Sequence, residues 1–374
     1  MKVLHILSDT NIGGAGRAVL GLADWANAGA YRGSMEAALP WGSALKPEFM
    51  SRSVTVYESF NLSEKSFDIR AVGALSRIIK NVDPDIVHTH AALSGRIAAR
   101  LKGRAKIVST RHSMFDITRG EAGLPKRSVN RLINSVFSDA IIAVSPAIEE
   151  HLKALGAPAH KIKMIFNGVA QSPIYDLNKR GGIRAGYGLS RGDFVVSIMA
   201  RLSEEKDHDT VLDAAKKIMD ADKSVKFLIA GEGPTGDRLR KRVETEEIKN
   251  VIFTGFVQNI AKIENITDLQ VNASVGTEAT SMALIGGMSL GIPAVASDFG
   301  GNPYVVVDGV NSLLFPRRNS QALATAILKI RNDKDLYGKM SFNALEIYEA
   351  RFTLDVMGSR TFELYEQLLR GAKH

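Results

Sequence analysis

Along the chain, short β-branched apolar runs alternate with longer stretches in which apolar residues recur every three or four positions, the pattern of βαβ units feeding a parallel sheet. In the first half this predicts strands at Val3 to Ser8, Glu36 to Leu39, Val54 to Val56, Ile86 to Thr89, Lys106 to Thr110 and Ala140 to Val144. Between them the helical period runs over Arg17 to Ala28, Asp68 to Val82, Gly95 to Leu101 and Ala147 to Leu155.

After Asn167-Gly168-Val169 the pattern breaks into a polar stretch containing Pro173, Asn178, Gly181 and Gly182, which reads as an interdomain connection. It then restarts, with strands predicted at Phe194 to Met199, Lys226 to Ala230, Val251 to Phe253, Leu269 to Asn272, Pro293 to Ala296 and Ser312 to Phe315. Helices are expected at Thr210 to Met219 and Gly236 to Glu246, and Ser320 to Arg370 is mostly helical. The expected fold class is therefore α/β, with two Rossmann-like, doubly wound parallel-sheet domains. Residues 1–170 would form the first and 171–352 the second, and 353–374 would be a helix packing back on the first. Open α/β domains in tandem are expected to bind ligands in a cleft at the carboxyl ends of their strands.

The length of 374 residues suits two domains, and 45% hydrophobic against 24% charged residues is the balance of a globular protein. No apolar run approaches the ~20 residues of a membrane span. The apolar stretch after Met1 breaks at Ser8, Asp9 and Thr10, too early for a signal peptide, so a cytoplasmic location is expected. The lack of cysteine removes disulfides, thiolate zinc sites and thiol nucleophiles, leaving oxygen, nitrogen and phosphate chemistry. Net charge is +8, and all of the excess lies in the first half: residues 1–170 carry 22 Lys and Arg against 14 Asp and Glu, while residues 171–374 carry 26 of each. This asymmetry points to an anionic partner of the first domain, against the plainer alternative of a soluble basic domain.

Three constellations can carry chemistry. Asn11-Ile12-Gly13-Gly14-Ala15-Gly16-Arg17 follows the first strand and opens a helix, where glycines and free amides suit a phosphate, or simply a tight turn. Arg201 and Lys206 follow a strand end and can neutralise a diphosphate, or form a solvated loop with Glu204, Glu205, Asp207 and Asp209. Glu278 stands at the start of a helical segment, placed to accept ligand hydroxyls or to serve as a first-turn acid.

Taken in order, these segments resemble the family-4 retaining glycosyltransferases of the GT-B fold. The likeness runs through Ile12-Gly13-Gly14-Ala15-Gly16, Asp85-Ile86-Val87-His88-Thr89-His90, Ser109-Thr110-Arg111-His112, Val144-Ser145 and Ile165-Phe166-Asn167-Gly168-Val169. It continues through Ala200-Arg201-Leu202-Ser203-Glu204-Glu205-Lys206, Gly231-Glu232-Gly233-Pro234 and Phe253-Thr254-Gly255-Phe256. The last block runs from Glu278-Ala279-Thr280-Ser281 through Gly291-Ile292-Pro293-Ala294-Val295-Ala296-Ser297-Asp298 to Gly300-Gly301.

The resemblance implies a nucleotide-sugar donor, with a UDP-sugar favoured, and a hydroxyl acceptor. It implies that Gly13, Gly14 and Ala15 lie against the donor diphosphate, that Arg201 and Lys206 hold its phosphates, and that His112 contacts the transferred sugar. Glu278 would bind sugar hydroxyls, with Ala279, Thr280, Ser281 and Met282 beside it. Gly231, Gly233, Phe256, Val257 and Gly286 would border the nucleotide. No metal or cofactor is required in this scheme, because cations and helix termini can stabilise the leaving diphosphate.

The chain departs from the family at Gly286, where a second glutamate would hold the ribose. Consecutive glycines in a helix cost ~1 kcal/mol each, so local preference does not explain Gly286-Gly287. Either a glutamate has been lost and donor binding weakened, or Gly286 lets backbone approach the nucleotide. The alternatives to a transferase are accordingly a sugar-nucleotide-binding protein with impaired catalysis and a nucleotide-sugar epimerase.

Asp83-Pro84-Asp85 has D-x-D spacing but leads into a strand, and His88 and His90 share a strand face without a third ligand nearby in sequence; both read as structural, as do Met282 and Met288. The segments 63–82, with Lys65, Arg70, Arg77 and Lys80, and 125–137, with Lys126, Arg127 and Arg131, are basic and amphipathic. They suit peripheral contact with an anionic inner membrane face and a lipid-linked or anionic acceptor; nucleic acid is not expected as a partner.

Overall fold

The computed structural model describes residues 1–31, 33–62, 66–90, 92–113 and 124–371, so Lys65 lies outside the described residues. The chain divides into two units, one formed by Met1–Val169 with Leu354–His374 and the other by Ala170–Thr353.

The first unit holds a seven-stranded sheet of β1 (Lys2–Leu7), β2 (Ser34–Pro40), β3 (Thr55–Ser59), β4 (Ile86–His90), β5 (Lys106–Arg111), β6 (Ala140–Ala143) and β7 (Ile162–Met164). Their order is β3-β2-β1-β4-β5-β6-β7 and every pair is parallel. Helices cover both faces, which is why the strands read as nearly continuous apolar runs. On β1, Val3 and Leu7 enter one core cluster with Val19, Leu39 and Phe49, while Leu4 and Ile6 enter the other with Leu75, Ile79 and Val87. His5 lies on the Val3 and Leu7 face and is fully buried. β7 was absent from the strands expected, because three residues with one buried position give too short a pattern.

The helix Ile69–Val82 is capped by Asp68 and buries Val72, Leu75 and Ile79 in that second cluster, so its apolar face is taken up by packing. The last helix, Leu354–Arg370, belongs to the first unit. It buries Met357, Phe362 and Tyr365 in the Val3 cluster, Trp25 Nε1 donates to Asp355 Oδ1 at 2.9 Å, and Gly358 lies so close to the Trp25 ring that a Cβ there would overlap it.

The second unit holds a six-stranded parallel sheet of β8 (Phe194–Met199), β9 (Val225–Ala230), β10 (Val251–Gly255), β11 (Leu269–Asn272), β12 (Ala294–Ser297) and β13 (Ser312–Phe315), in the order β10-β9-β8-β11-β12-β13. Its core joins Val196, Ile198 and Phe227 to Val211, Leu212 and Ile218 of the helix His208–Ala221 and to Leu323 and Ile327 of the helix Ser320–Asn332. The polar stretch read as an interdomain connection contains a helix, Leu177–Gly186. Asp176 caps it, Arg184 pairs with Asp268 at 2.7 Å, and Ile183 and Tyr187 pack beside Leu189 and Val195, so tertiary contacts override the cost of Gly181 and Gly182. Each unit is thus a doubly wound α/β domain.

Candidate functional site

In a doubly wound sheet, neighbouring crossovers run to opposite sides at one strand pair, opening a crevice beyond the carboxyl ends. That pair is β1/β4 in the first unit and β8/β11 in the second. The sequence-derived site residues collect at both.

In the second unit, β8 leads to Arg201, which is exposed and makes no ion pair among the described residues. The 3-10 turn Glu204–Lys206 follows, and Asp207, at φ 48°, caps the helix His208–Ala221. Lys206 Nζ lies 2.7 Å from Glu278 Oε2. Asn272 Nδ2, at 3.1 Å, and Ser274 Oγ, at 2.8 Å, donate to the same oxygen, leaving Oε1 without a protein donor among the described residues. Burial opposes ionisation of Glu278, but Lys206 and these hydrogen bonds outweigh it and hold the carboxyl below its usual range.

The loop after β11 is tied to this pair. Glu205 O accepts from Val275 N at 2.9 Å, and Gly301 N donates to Glu278 O at 2.9 Å. Gly300, at φ 60°, and Gly301 press on the carbonyls of Glu278 and Ala279, where any side chain would overlap. Ala279, Thr280 and Ser281 are buried, and Ser281 caps the helix Met282–Met288 while its Oγ accepts from Asn272 Nδ2 at 2.8 Å. Phe256 is exposed after β10 beside half-buried Val257. Gly231 and Gly233 abut the carbonyls of Ala200 and Leu202, so packing against the Arg201 loop accounts for these two glycines.

Gly286 has a comparable explanation, and the reading that helix preference leaves it unexplained is thereby filled in. A Cβ at Gly286 would collide with Glu264 Oε1, and one at Gly287 with the Gln270 side chain. Glu264, on the helix Ala261–Glu264, is buried and accepts from Ser172 Oγ. A carboxylate therefore stands at Gly286 even though the sequence has none at that position.

In the first unit, Gly13 is the uncapped residue preceding the helix Gly14–Trp25; both glycines are exposed, and a Cβ on either would meet nothing, so packing does not demand them. His112 leaves β5 and is bonded through Nε2 to His90 Nδ1 at 2.8 Å; His90 Nε2 is bonded to His5 Nδ1 at 3.1 Å. His88 is held by Tyr365 Oη at 2.5 Å and Thr110 Oγ1 at 2.6 Å. The expectation that His88 and His90 lack a third histidine is corrected: His5, paired with His88 across the β1/β4 register, brings three ligand atoms within 4.8 Å of one another. Neighbouring strands, invisible in linear spacing, supply it. Both nitrogens of His88 and His90 are engaged in hydrogen bonds, so a metal here would have to displace them. Burial lowers His5 to a pKa of about 3 and His112 to about 4, so the histidines are neutral, with His5 Nε2 and His112 Nδ1, at the two ends of the row, left unpartnered among the described residues. Asp85 accepts from Lys2 N at 2.7 Å, and Asp83 ends the helix Ile69–Val82 in a left-handed conformation, so the Asp83-Pro84-Asp85 turn is structural.

Comparison with known proteins supplies the family context. Residues 12–172 match the family model described as Glycosyltransferase Family 4, and residues 180–346 match Glycosyl transferases group 1. N-acetyl-alpha-D-glucosaminyl L-malate synthase of Bacillus anthracis is 24% identical over 336 residues, spanning 88% of this chain and 86% of the relative. The UDP-Gal:alpha-D-GlcNAc-diphosphoundecaprenol alpha-1,3-galactosyltransferase of Escherichia coli is 26% identical over 280 residues, 72% of each chain. HepE of Anabaena, solved in complex with UDP, shares the fold with a TM-score of 0.83 at 22% identity, covering 98% of this chain and 100% of that one.

Two outcomes follow from this geometry. His5 and His112, with His208 lowered by burial to about 4 in the second unit, bind protons less readily folded than unfolded, where imidazoles titrate near 6.5. Their contribution is complete above about pH 6.5 and is lost as pH falls toward about 4; urea unfolding across that range should lose stability steeply, and a His5→Asn variant should give a flatter profile. Second, Gly286→Glu crowds two carboxylates into one buried space and should cost about 1–3 kcal/mol in denaturant unfolding, with Glu264→Ala in the same chain restoring most of it. Equal stability of the single variant and the parent would contradict the crowding.

Proposed function

Because the chain belongs to the family-4, group 1 glycosyltransferases and has their GT-B fold, we propose that it moves a hexosyl or N-acetylhexosaminyl group from a UDP-sugar to a hydroxyl acceptor, with retention and without a metal. The observation that carries this reading is the Lys206–Glu278 pair at the β8/β11 switch, beside Arg201, which has no ion pair among the described residues.

In the proposed reaction the bond from the anomeric carbon to the diphosphate oxygen breaks and the acceptor oxygen bonds to the same face. The acceptor proton passes to the departing phosphate oxygen, giving a nucleoside diphosphate. Positive charge grows on the sugar and negative charge on the diphosphate, so Arg201 and Lys206 lower the barrier by attracting the leaving group. Glu278 orients Lys206 through Oε2 and can accept a sugar hydroxyl through Oε1. The unpartnered Nδ1 of His112 is the atom available to the transferred sugar. Glu264 supplies the carboxylate that the ribose would otherwise find at position 286, which favours an active transferase over an impaired binding protein.

One named relative is a synthase of N-acetyl-alpha-D-glucosaminyl L-malate and the other a galactosyltransferase named for a GlcNAc-diphosphoundecaprenol, and with the basic first unit they support an anionic or lipid-linked acceptor in polysaccharide or glycolipid synthesis. The helix Leu124–Phe137 exposes Val129, Leu132 and Val136 among Lys126, Arg127 and Arg131, a face that suits an anionic membrane.

Incubation with UDP-sugars and these acceptor classes should release UDP, undiminished by EDTA. Lys206→Ala and Glu278→Gln should each lower turnover about 10²- to 10³-fold while urea unfolding of the ligand-free chains reports on folding; unchanged turnover in both would sink the assignment. In a separate flotation assay, vesicles rich in anionic lipid should carry the protein at low salt, and a Leu132→Asp chain should float less; equal flotation with neutral vesicles would remove the membrane role.

A further inference from the structure

A second polar site lies within the first unit, on the side of the sheet reached by Thr89, Ser109 and Arg111 rather than by the histidines. There the carboxyl ends of β4 and β5 and the helices Leu93–Lys102 and Leu124–Phe137 enclose a cavity of about 210 Å³, with Arg96 and Arg111 in its wall. None of its described lining residues is acidic.

Arg96 is unusual among the partly buried arginines. Arg52 pairs with Asp24 and Glu48, Arg184 with Asp268, and Arg242 with Asp209, Asp213 and Glu246. Arg96 has only neutral partners, its Nη1 donating to Asn134 Oδ1 at 2.8 Å and Ser138 Oγ at 3.1 Å. Its Nε and Nη2 have no partner among the described residues. Burial and the neighbouring charge of Arg111 lower its pKa to about 10, which still leaves it cationic at neutral pH. A buried cation without a counter-ion is unfavourable, and a second cation beside it adds to the cost. A guanidinium with its fork of donors unspent has the geometry for two oxygens of one anion. The hydroxyls of Thr89 and Ser109 complete a lining that solvates such a group.

We propose that this cavity is an oxyanion site, in which Arg96 and Arg111 hold the carboxylate or phosphate of the molecule that provides the acceptor hydroxyl. The identity of the ligand as acceptor rests on the transferase reading, whereas the site itself does not. Arg111 and His112 are consecutive at the end of β5 and project to opposite faces, so an anion held at Arg111 keeps the rest of its molecule next to the strand end that carries His112. The site would also account for part of the positive charge concentrated in the first unit.

The test is a thermal-shift and calorimetric titration of the full chain with inorganic phosphate and, separately, with L-malate, in the presence of saturating UDP so that the donor diphosphate region is occupied. At least one anion should bind, and the tighter of the two identifies the anionic group preferred. Arg96→Gln should weaken that binding at least tenfold. Because this variant can also disturb packing, Asn134→Asp is the decisive companion: it places a carboxylate beside the guanidinium, so anion binding should fall at least tenfold with no loss of melting temperature. Failure of both anions to bind the parent chain, or parent-like binding by Asn134→Asp, would overturn the site. A chain that fails to bind UDP yet shows an Arg96-dependent anion shift would refute the donor reading while upholding this one.

Discussion

A parallel sheet covered on both faces leaves its strand ends as the place where polar side chains can gather without disrupting a core, and both units obey that constraint. Every crossover returns the chain to the same edge, so the loops after β1, β4 and β5, and those after β8, β11 and β12, emerge together. The reversal of winding at β1/β4 and β8/β11 then separates adjacent loops and makes room for ligands. Polar residues more than 70 positions apart, such as Lys206 and Glu278, become neighbours because the fold offers them few other locations.

The two strand-end clusters use burial in opposite electrostatic senses. At Glu278, burial would neutralise the carboxylate, but a lysine and two neutral donors focused on one oxygen keep it charged. Along His5, His90 and His112 no carboxylate intervenes, so burial prevails and the imidazoles stay neutral. A charged group that is already compensated and a neutral hydrogen-bonding group suit different tasks: in the proposed reaction the former could sit beside a leaving anion without being discharged by it, and the latter could contact a sugar without adding a full charge where positive charge develops.

Much of this was legible in the sequence because parallel strands are self-announcing and because Arg201, Lys206 and Glu278 follow strand ends directly. The helix Leu177–Gly186 was hidden by two glycines whose cost is offset by contacts to Leu189 and Val195 beyond the helix and to Asp268 more than 80 residues on. His5 was hidden for a different reason: it looks like one more position in a buried strand, and only the register of β1 against β4 brings it to His88. At Gly286 the linear motif reports a missing carboxylate, while the packing places the Glu264 carboxylate beside that position. A motif records which residue occupies a position, whereas chemistry depends on which atom occupies a place.

The return of the last helix to the first unit also sets an order of assembly. Its residues Met357, Phe362 and Tyr365 belong to the same core as Val3 and Leu7, yet they are synthesised after the whole of Ala170–Thr353. Translation therefore completes the second unit's sequence while the first still lacks part of its core and the Tyr365 hydroxyl that holds His88. The half of the protein that is made first is the half that finishes last, and the histidine chain is not fully buttressed until the final helix has left the ribosome.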